Sequence, residues 1–253
     1  MTKLTFLGTG TSQGVPMIGC GCDVCRSSDP RDKRLRSSVL VEHEGRTFLV
    51  DAGPDFRQQM LRADVSHVDA ILLTHNHKDH TGGLDDIRAF NYLENKASQI
   101  YCEKYVEDAL RMEYSYAFAE KKYPGAPEWD VHIIDEKPFS INGVEIIPIR
   151  GMHYKLPVLG YRFGKIAYCT DMNHIPEEEF AKLQGLDHFV INCVKYGKHI
   201  SHYSLEEAVA VAQRVGAKHS WLTHLSHRLP CYETLAAKLP AGILPAYDGM
   251  VLE

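Results

Sequence analysis

The segment Thr74-His75-Asn76-His77-Lys78-Asp79-His80-Thr81-Gly82-Gly83 constrains this chain more than any other stretch. It follows the apolar run Ala70–Leu73 and precedes a helical pattern, so it occupies a turn from strand into helix. Four residues of metal-ligand type fall within six positions. His75 and His77 are two apart, and an extended backbone points both to the same side. Asp79 and His80 lie where the chain bends into the helix and are placed to face a second ion. Gly82 and Gly83 are expected to permit a tight backbone there. Imidazole and carboxylate suit zinc, manganese or iron. A single histidine in such a turn is ordinarily a polar loop residue; this density after a buried strand points to a metal centre.

The rest of the composition narrows the setting. A chain of 253 residues with 44% hydrophobic and 24% charged residues has the balance of a globular protein with a sizeable core. Its net charge of −5 argues against broad electrostatic binding to nucleic acid, which wants a clustered basic surface. The apolar runs are too short to span a bilayer. The N-terminus enters a strand-like pattern directly, with no signal-peptide core, so the expected location is the cytoplasm. Seven cysteines, an odd number, fit metal ligation in a reducing compartment better than a disulfide scaffold.

Short β-branched or apolar runs predict strands at Leu4–Leu7, Ser38–Glu42, Thr47–Val50, Ala70–Thr74, Gln99–Cys102, Val144–Arg150, Leu159–Phe163, Ile166–Thr170, His188–Asn192 and His219–Thr223. Helices are expected over Pro54–Ala63, Leu84–Asn95, Lys104–Lys121, Pro176–Gln184 and Ser204–Val215, the last opened by a capping box of Ser204 and Glu207. The order is β-rich, then alternating, then β-rich, then alternating again. That predicts two similar halves, each a mixed sheet with helices outside: an α/β, four-layered αββα sandwich in one domain spanning 1–253.

Further ligand types stand at the ends of other predicted strands: His153, Asp171 and His224. Asp51, ending Thr47–Val50, is a candidate to orient a ligand histidine. Taken in order, Asp51, the His75-x-His77-x-Asp79-His80 motif, His153, Asp171 and His224 resemble the metallo-β-lactamase superfamily over nearly the whole chain. The resemblance implies a first metal on His75, His77 and His153. It implies a second on Asp79, His80 and His224, with Asp171 bridging the two. A carboxylate at 171, with no cysteine in its place, is similar to the binuclear hydrolases of the superfamily.

A second cluster, Cys20, Cys22 and Cys25 in a CxCxxC loop at 19–25, fits a structural zinc site short of one ligand. His227 is the chosen fourth, three residues beyond His224. These four, with Gly8-Thr9-Gly10-Thr11-Ser12-Gln13-Gly14-Val15-Pro16, resemble the PhnP-type phosphodiesterases, whose core is similar to tRNase Z. The resemblance implies hydrolysis of a small phosphodiester, a ribose cyclic phosphate or a 2′,3′-cyclic nucleotide, by a hydroxide activated on two divalent ions (manganese or zinc, or iron). It also implies one structural zinc and a homodimer. It places His202 as the general acid for the leaving group, with Asp79 also in the catalytic set; His199 competes with His202 for that role. Lys155 is a weaker candidate for phosphate contact, and Cys102, Cys169, Cys193 and Cys231 read as small buried hydrophobes. The tyrosine-rich stretch 101–123 reads as a lid, a dimer surface or a helix packed on the sheet. Two rivals stay open: an RNA 3′-end endonuclease of tRNase Z type, and a thioester or lactone hydrolase with the same metals.

Overall fold

A computed structural model describes residues 2–253. Among the described residues fourteen strands form two seven-stranded sheets. The first half supplies β1 (Thr2–Gly8), β2 (Ser38–His43), β3 (Arg46–Val50), β4 (Ala70–Leu72), β5 (Ser98–Cys102) and β6 (Trp129–Ile133). The second supplies β7 (Phe139–Ile141), β8 (Val144–His153), β9 (Leu156–Phe163), β10 (Ile166–Cys169), β11 (His188–Asn192), β12 (His219–Thr223) and β13 (Ile243–Pro245). A short β14 (Val251–Leu252) returns to pair with β1 in the first sheet. Each sheet has the same plan. Antiparallel neighbours lead in, through β1–β2–β3 and through β7–β8–β9–β10. Parallel neighbours follow, from β3 to β6 and from β10 to β13. The two-halves reading of the sequence therefore describes the molecule, apart from β14.

The layers follow from side-chain alternation. In β2 and β3, Val39, Val41, Phe48 and Val50 face the second sheet. Their neighbours Leu40 and Leu49 face outward, under the helices α2 (Phe56–Arg62), α4 (Arg88–Glu94) and α5 (Lys104–Glu113). In β10 and β11, Tyr168 and Val190 meet the first sheet, while Ala167, Phe189 and Ile191 face α6 (Leu205–Val215). Three apolar cores thus separate four layers, the αββα sandwich expected from the sequence. Three shorter helices complete the chain: α1 (Asp23–Arg26), α3 (Lys78–Thr81) and α7 (Tyr232–Ala236). No helix among the described residues is long and apolar enough to cross a membrane.

Several element boundaries differ from the sequence pattern. The helix expected over Pro54–Ala63 begins at Phe56, with Asp55 as its N-cap; the Asp55 carboxylate does not cap the helix but accepts from the Arg36 backbone N–H at 2.8 Å and guanidinium at 3.0 Å. The helix expected over Lys104–Lys121 stops at Glu113, where Tyr114 leaves the helical basin and donates its hydroxyl to the Thr81 carbonyl at 2.9 Å. The tyrosine-rich segment is packed against the sheet: Tyr105 donates to the Pro157 carbonyl, and Trp129 packs edge-on against both Tyr114 and Phe118. The pattern over Leu84–Asn95 divides into a 3-10 turn, Leu84–Ile87, and α4, and Glu177–Leu183 is 3-10 throughout. The capping box at Ser204 and Glu207 is present in both directions. Strands β6, β7, β13 and β14 carried no legible pattern.

Candidate metal centre

The predicted residues arrive at one place because they sit at the C-terminal ends of strands in both sheets. Asp51 follows β3, His75 and His77 follow β4, His153 ends β8, Asp171 follows β10 and His224 follows β12. Asp79 and His80 lie on α3, directly after the histidine pair. The structure gathers His75, His77 and His153 in one group and Asp79, His80, Asp171 and His224 in another, with the ligand-type atoms of each group within 4.8 Å of one another. Asp171 joins the groups. Its carboxylate stands 3.9 Å from His75 Nε2, 3.3 Å from His80 Nε2 and 2.9 Å from His224 Nδ1.

Outer contacts hold these rings in position. His80 Nδ1 is 2.6 Å from the Asp51 carboxylate, which also accepts the Thr74 backbone N–H at 2.9 Å and the Thr74 hydroxyl. The Thr74 hydroxyl stands 2.9 Å from His75 Nδ1. His153 Nδ1 donates to the Ser201 carbonyl at 2.8 Å, and His224 Nδ1 is 3.1 Å from the Ser37 hydroxyl. Asn192, at the end of β11, accepts from the Met172 N–H and donates to the Met172 carbonyl, which fixes the turn carrying Asp171. Such contacts set ring orientation and tautomer at metal sites. Asp51, Asp171 and His224 all have left-handed backbones, with φ of 65°, 57° and 54°. Strained conformations of this kind persist at functional sites because the surrounding structure imposes them.

Glycines bring the segments close, for a reason other than the one expected at Gly82 and Gly83. Both have ordinary negative φ. A Cβ on Gly83 would stand 2.1 Å from the Gly53 carbonyl oxygen, and one on Gly53 would stand 2.0 Å from the Asp79 carbonyl oxygen. Close backbone approach between the Asp51 loop and α3 is what excludes a side chain there.

Charge is arranged to favour cations. Burial, then the neighbouring His80, push His75 well below the ordinary histidine range, leaving it a neutral donor of a lone pair. At His80 burial acts downward, but the carboxylates of Asp171, Asp79 and Asp51 outweigh it and raise the group. At Asp171 burial acts upward and is outweighed by His224 and His80, so the carboxylate stays ionised. His75 Nε2 and His80 Nε2 are buried without a hydrogen-bond partner. Unpaired buried polar atoms are costly, and a cation in each of the two groups would satisfy the atom that belongs to it. The donor set of imidazoles and carboxylates fits divalent ions of the zinc, manganese or iron type.

His202 lies beside this centre. Its ring is 4.8 Å from that of His224 and 4.5 Å from that of His153, and its Nδ1 is buried without a partner. It also stands within 4.8 Å of His153 and Asp171, close enough to compete as a ligand. His199 is the next ring out, 5.1 Å from His202. Lys155 is exposed beside Tyr154, with its amine over that ring.

The second cluster also assembles. Cys20, Cys22, Cys25 and His227 bring their ligand-type atoms within 4.8 Å of one another, and His227 Nδ1 is 3.3 Å from Cys20 Sγ. Hydrogen bonds, first from the Cys25 backbone N–H and then with His227, lower Cys22 to about 6; burial raises Cys25 to about 11. Cys102, Cys169 and Cys193 are buried as expected, whereas Cys231 is only half-buried, against the cysteine cluster. Ser37, Thr74, Ser201 and Asn192 were missed by sequence reasoning; only the asparagine ending a strand offered a signal.

Comparison with known proteins agrees with this geometry. Residues 46–225 match the family model described as the beta-lactamase superfamily domain. An octanoyltransferase from Porphyromonas gingivalis is 42% identical over 98% of this chain but only 51% of its own length. A coenzyme PQQ synthesis protein B from Methylococcus capsulatus is 30% identical over 56% of this chain and 50% of its own length. The chain thus spans about half the length of these curated relatives. Among solved structures, a diphosphatase from the PhnP family is 39% identical, with a TM-score of 0.93 over 99% of this chain and 96% of that one. Human tRNase Z, short form, shares the fold at 20% identity, with a TM-score of 0.73 over 99% of this chain and 98% of that one. The chain belongs to the metallo-β-lactamase superfamily and, within it, resembles the PhnP family.

Proposed function

We propose that this protein is a binuclear metal-dependent phosphodiesterase that opens a cyclic phosphodiester, a ribose cyclic phosphate or a 2′,3′-cyclic nucleotide. The observation that carries the reading is His202, a half-buried imidazole whose Nδ1 is buried without a partner and whose ring stacks on the proposed ligand His224. Breaking a P–O ester bond expels an alkoxide, which needs a proton. A thiolate leaves without one, so a dedicated imidazole at this position favours an oxygen leaving group over a thioester. That the 39% identical PhnP-family protein is a diphosphatase supports attack at phosphorus. The name octanoyltransferase belongs to a protein twice as long, of which this chain matches one half.

In this reading His75, His77 and His153 would hold one divalent ion and Asp79, His80 and His224 the other, with Asp171 standing between the two groups. Divalent ions bound there supply Lewis acidity to phosphoryl oxygens and acidify water. The protein's own groups do the rest. Asp51, Ser201 and Ser37 fix the rings. His202 gives its proton to the leaving oxygen. Burial, only partly offset by Asp171, pushes His202 down to about 3 in the free protein, so it rests neutral. An anionic phosphate beside it acts the other way and favours the protonated form that donates. We further assign Cys20, Cys22, Cys25 and His227 to a structural zinc; reduced cysteines of this kind support the expectation of a reducing compartment such as the cytoplasm.

His202→Ala tests the reading. With 2′,3′-cyclic AMP, kcat is expected to fall about 10²–10⁴-fold, the usual contribution of a general acid. With a p-nitrophenyl ester, whose leaving group needs no proton, the loss is expected to be much smaller. Equal losses on both esters contradict the assignment.

A further inference from the structure

We propose that the outer face of the first sheet, where α2 meets α4, is the docking surface for a companion domain. The occupant is the counterpart of the half of the Porphyromonas gingivalis relative that lies outside its match with this chain. The surface is separate from the metal centre, and the proposal does not depend on the phosphodiesterase reading.

A groove of about 360 Å³ runs between α2 and α4. Phe56 and Phe90, edge to face at 6.0 Å, are among the residues lining it. Its apolar rim is open to solvent: Leu61 is 65% exposed, Tyr92 66% and Leu93 70%. Single exposed apolar side chains are ordinary, but three around one apolar groove form a patch of the kind a partner covers. Arg57 and Asp86 line the same groove and make no ion pair among the described residues, whereas the neighbouring Asp55 and Asp85 are paired with Arg36 and Arg88. The face therefore suits an occupant that presents apolar side chains, with a carboxylate for Arg57 and a cation for Asp86.

The position of this face identifies the occupant. A second cavity, of about 510 Å³, shares Val65 with the groove and is lined by Lys3 and Thr5 of β1 and Val251 of β14. Those two strands open and close the fold side by side, with Thr5 opposite Val251. The surface thus continues from α4, past the end of α2, to the strands from which both ends of the chain emerge. No residue of either metal-ligand cluster lines either cavity, so a covered face leaves the centre free. The Porphyromonas gingivalis relative matches 98% of this chain over 251 residues, and that match is 51% of its own length. About as many residues again lie outside it, enough for a domain of its own. Whichever half of that protein carries this fold, the link to the other half leaves from β1 or from β14. A tethered domain meets the faces within its reach at high effective concentration, and the open apolar groove is one of these.

The test puts the full present chain into the Porphyromonas gingivalis protein in place of the half it matches, and compares this chimera with the chain alone by hydroxyl-radical footprinting. Labelling of Tyr92 is expected to fall in the chimera to that of the buried Tyr161, while Tyr154, exposed beside the metal centre, keeps its labelling. Leu61→Lys/Leu93→Lys in the chimera, at two positions the fold leaves exposed, is expected to return Tyr92 to the labelling of the chain alone. Cross-linking of the intact Porphyromonas gingivalis protein gives an independent reading should the chimera fail to fold: links from its unmatched half are expected on the segments aligned with α2 and α4. Unchanged Tyr92 labelling in the chimera, or links that avoid both segments, overturns the proposal. Protection of Tyr92 in the chain alone, together with sedimentation as a dimer, also overturns it and gives the face to a second copy. None of these readouts involves turnover, so the phosphodiesterase reading stands or falls separately.

Discussion

Replacing Asp51 by asparagine isolates what the outer contacts of the centre contribute. The residue is fully buried, with φ of 65°, a conformation that asparagine tolerates, so the backbone adds little to the effect. One carboxylate oxygen accepts the Thr74 backbone N–H at 2.9 Å; the other accepts from His80 Nδ1 at 2.6 Å. The Thr74 N–H is a fixed donor, so the amide oxygen of asparagine stays on it. The amide NH2 then faces His80 Nδ1, donor against donor. One charge-assisted hydrogen bond, of about 1.5–3 kcal/mol, is lost and a buried donor is left unpaired. A loss of about 3–5 kcal/mol in stability is expected, the range for breaking a buried charged pair. Freed from Asp51, His80 turns more readily, and affinity for metal at the centre is expected to fall about 10–100-fold. Urea unfolding of metal-free and metal-loaded protein, with metals counted after exposure to a chelator, reads both effects. The ion proposed for the cysteine cluster is expected to stay bound and serves as an internal control. An Asp51→Asn protein with wild-type unfolding midpoints and wild-type metal retention refutes the reasoning.

Two further predictions concern the frame around the centre. Gly53→Ala places a Cβ 2.0 Å from the Asp79 carbonyl oxygen, so the Asp51 loop and α3 must part; a loss of about 1–3 kcal/mol or more, with loss of metal at the centre, is expected by thermal unfolding and metal analysis. His43, at the end of β2, is held below the ordinary histidine range, chiefly by burial, so the fold favours its neutral form. Its contribution is present above the unfolded-state value, about 6.5, and is lost as pH falls below it, at no more than about 1.4 kcal/mol per pH unit. The unfolding midpoints of wild type and His43→Gln are therefore expected to converge as pH falls below about 6.5, and a constant difference contradicts the account.

Legibility in the sequence followed the range of the interactions. His75, His77, Asp79 and His80 announce themselves because four ligand types share one turn. His153, Asp171 and His224 are single residues at strand ends, and only the order of the whole set made them stand out. Ser37 and Ser201 reach the site from loops of the two halves, and nothing local marks a serine for that duty. Helices read well where the local code was complete, as at the Ser204 capping box, and too long where a tertiary contact decided the end, as when Tyr114 turns to Thr81. Strand β6 escaped because Trp129–Ile133 is an edge strand with no fully buried residue, and β14 because two residues make no pattern.

The central claim is that Asp171, between two groups of ligands, serves an ion pair that acts on phosphorus. It is tested most directly by assaying 2′,3′-cyclic AMP, a thioester and a lactone with manganese present, on wild type and Asp171→Asn of known metal content. The account predicts opening of the cyclic phosphate by wild type, its loss in Asp171→Asn together with loss of metal from the centre, and metal still bound at the cysteine cluster. Turnover of the thioester or lactone with none of the cyclic phosphate would contradict it.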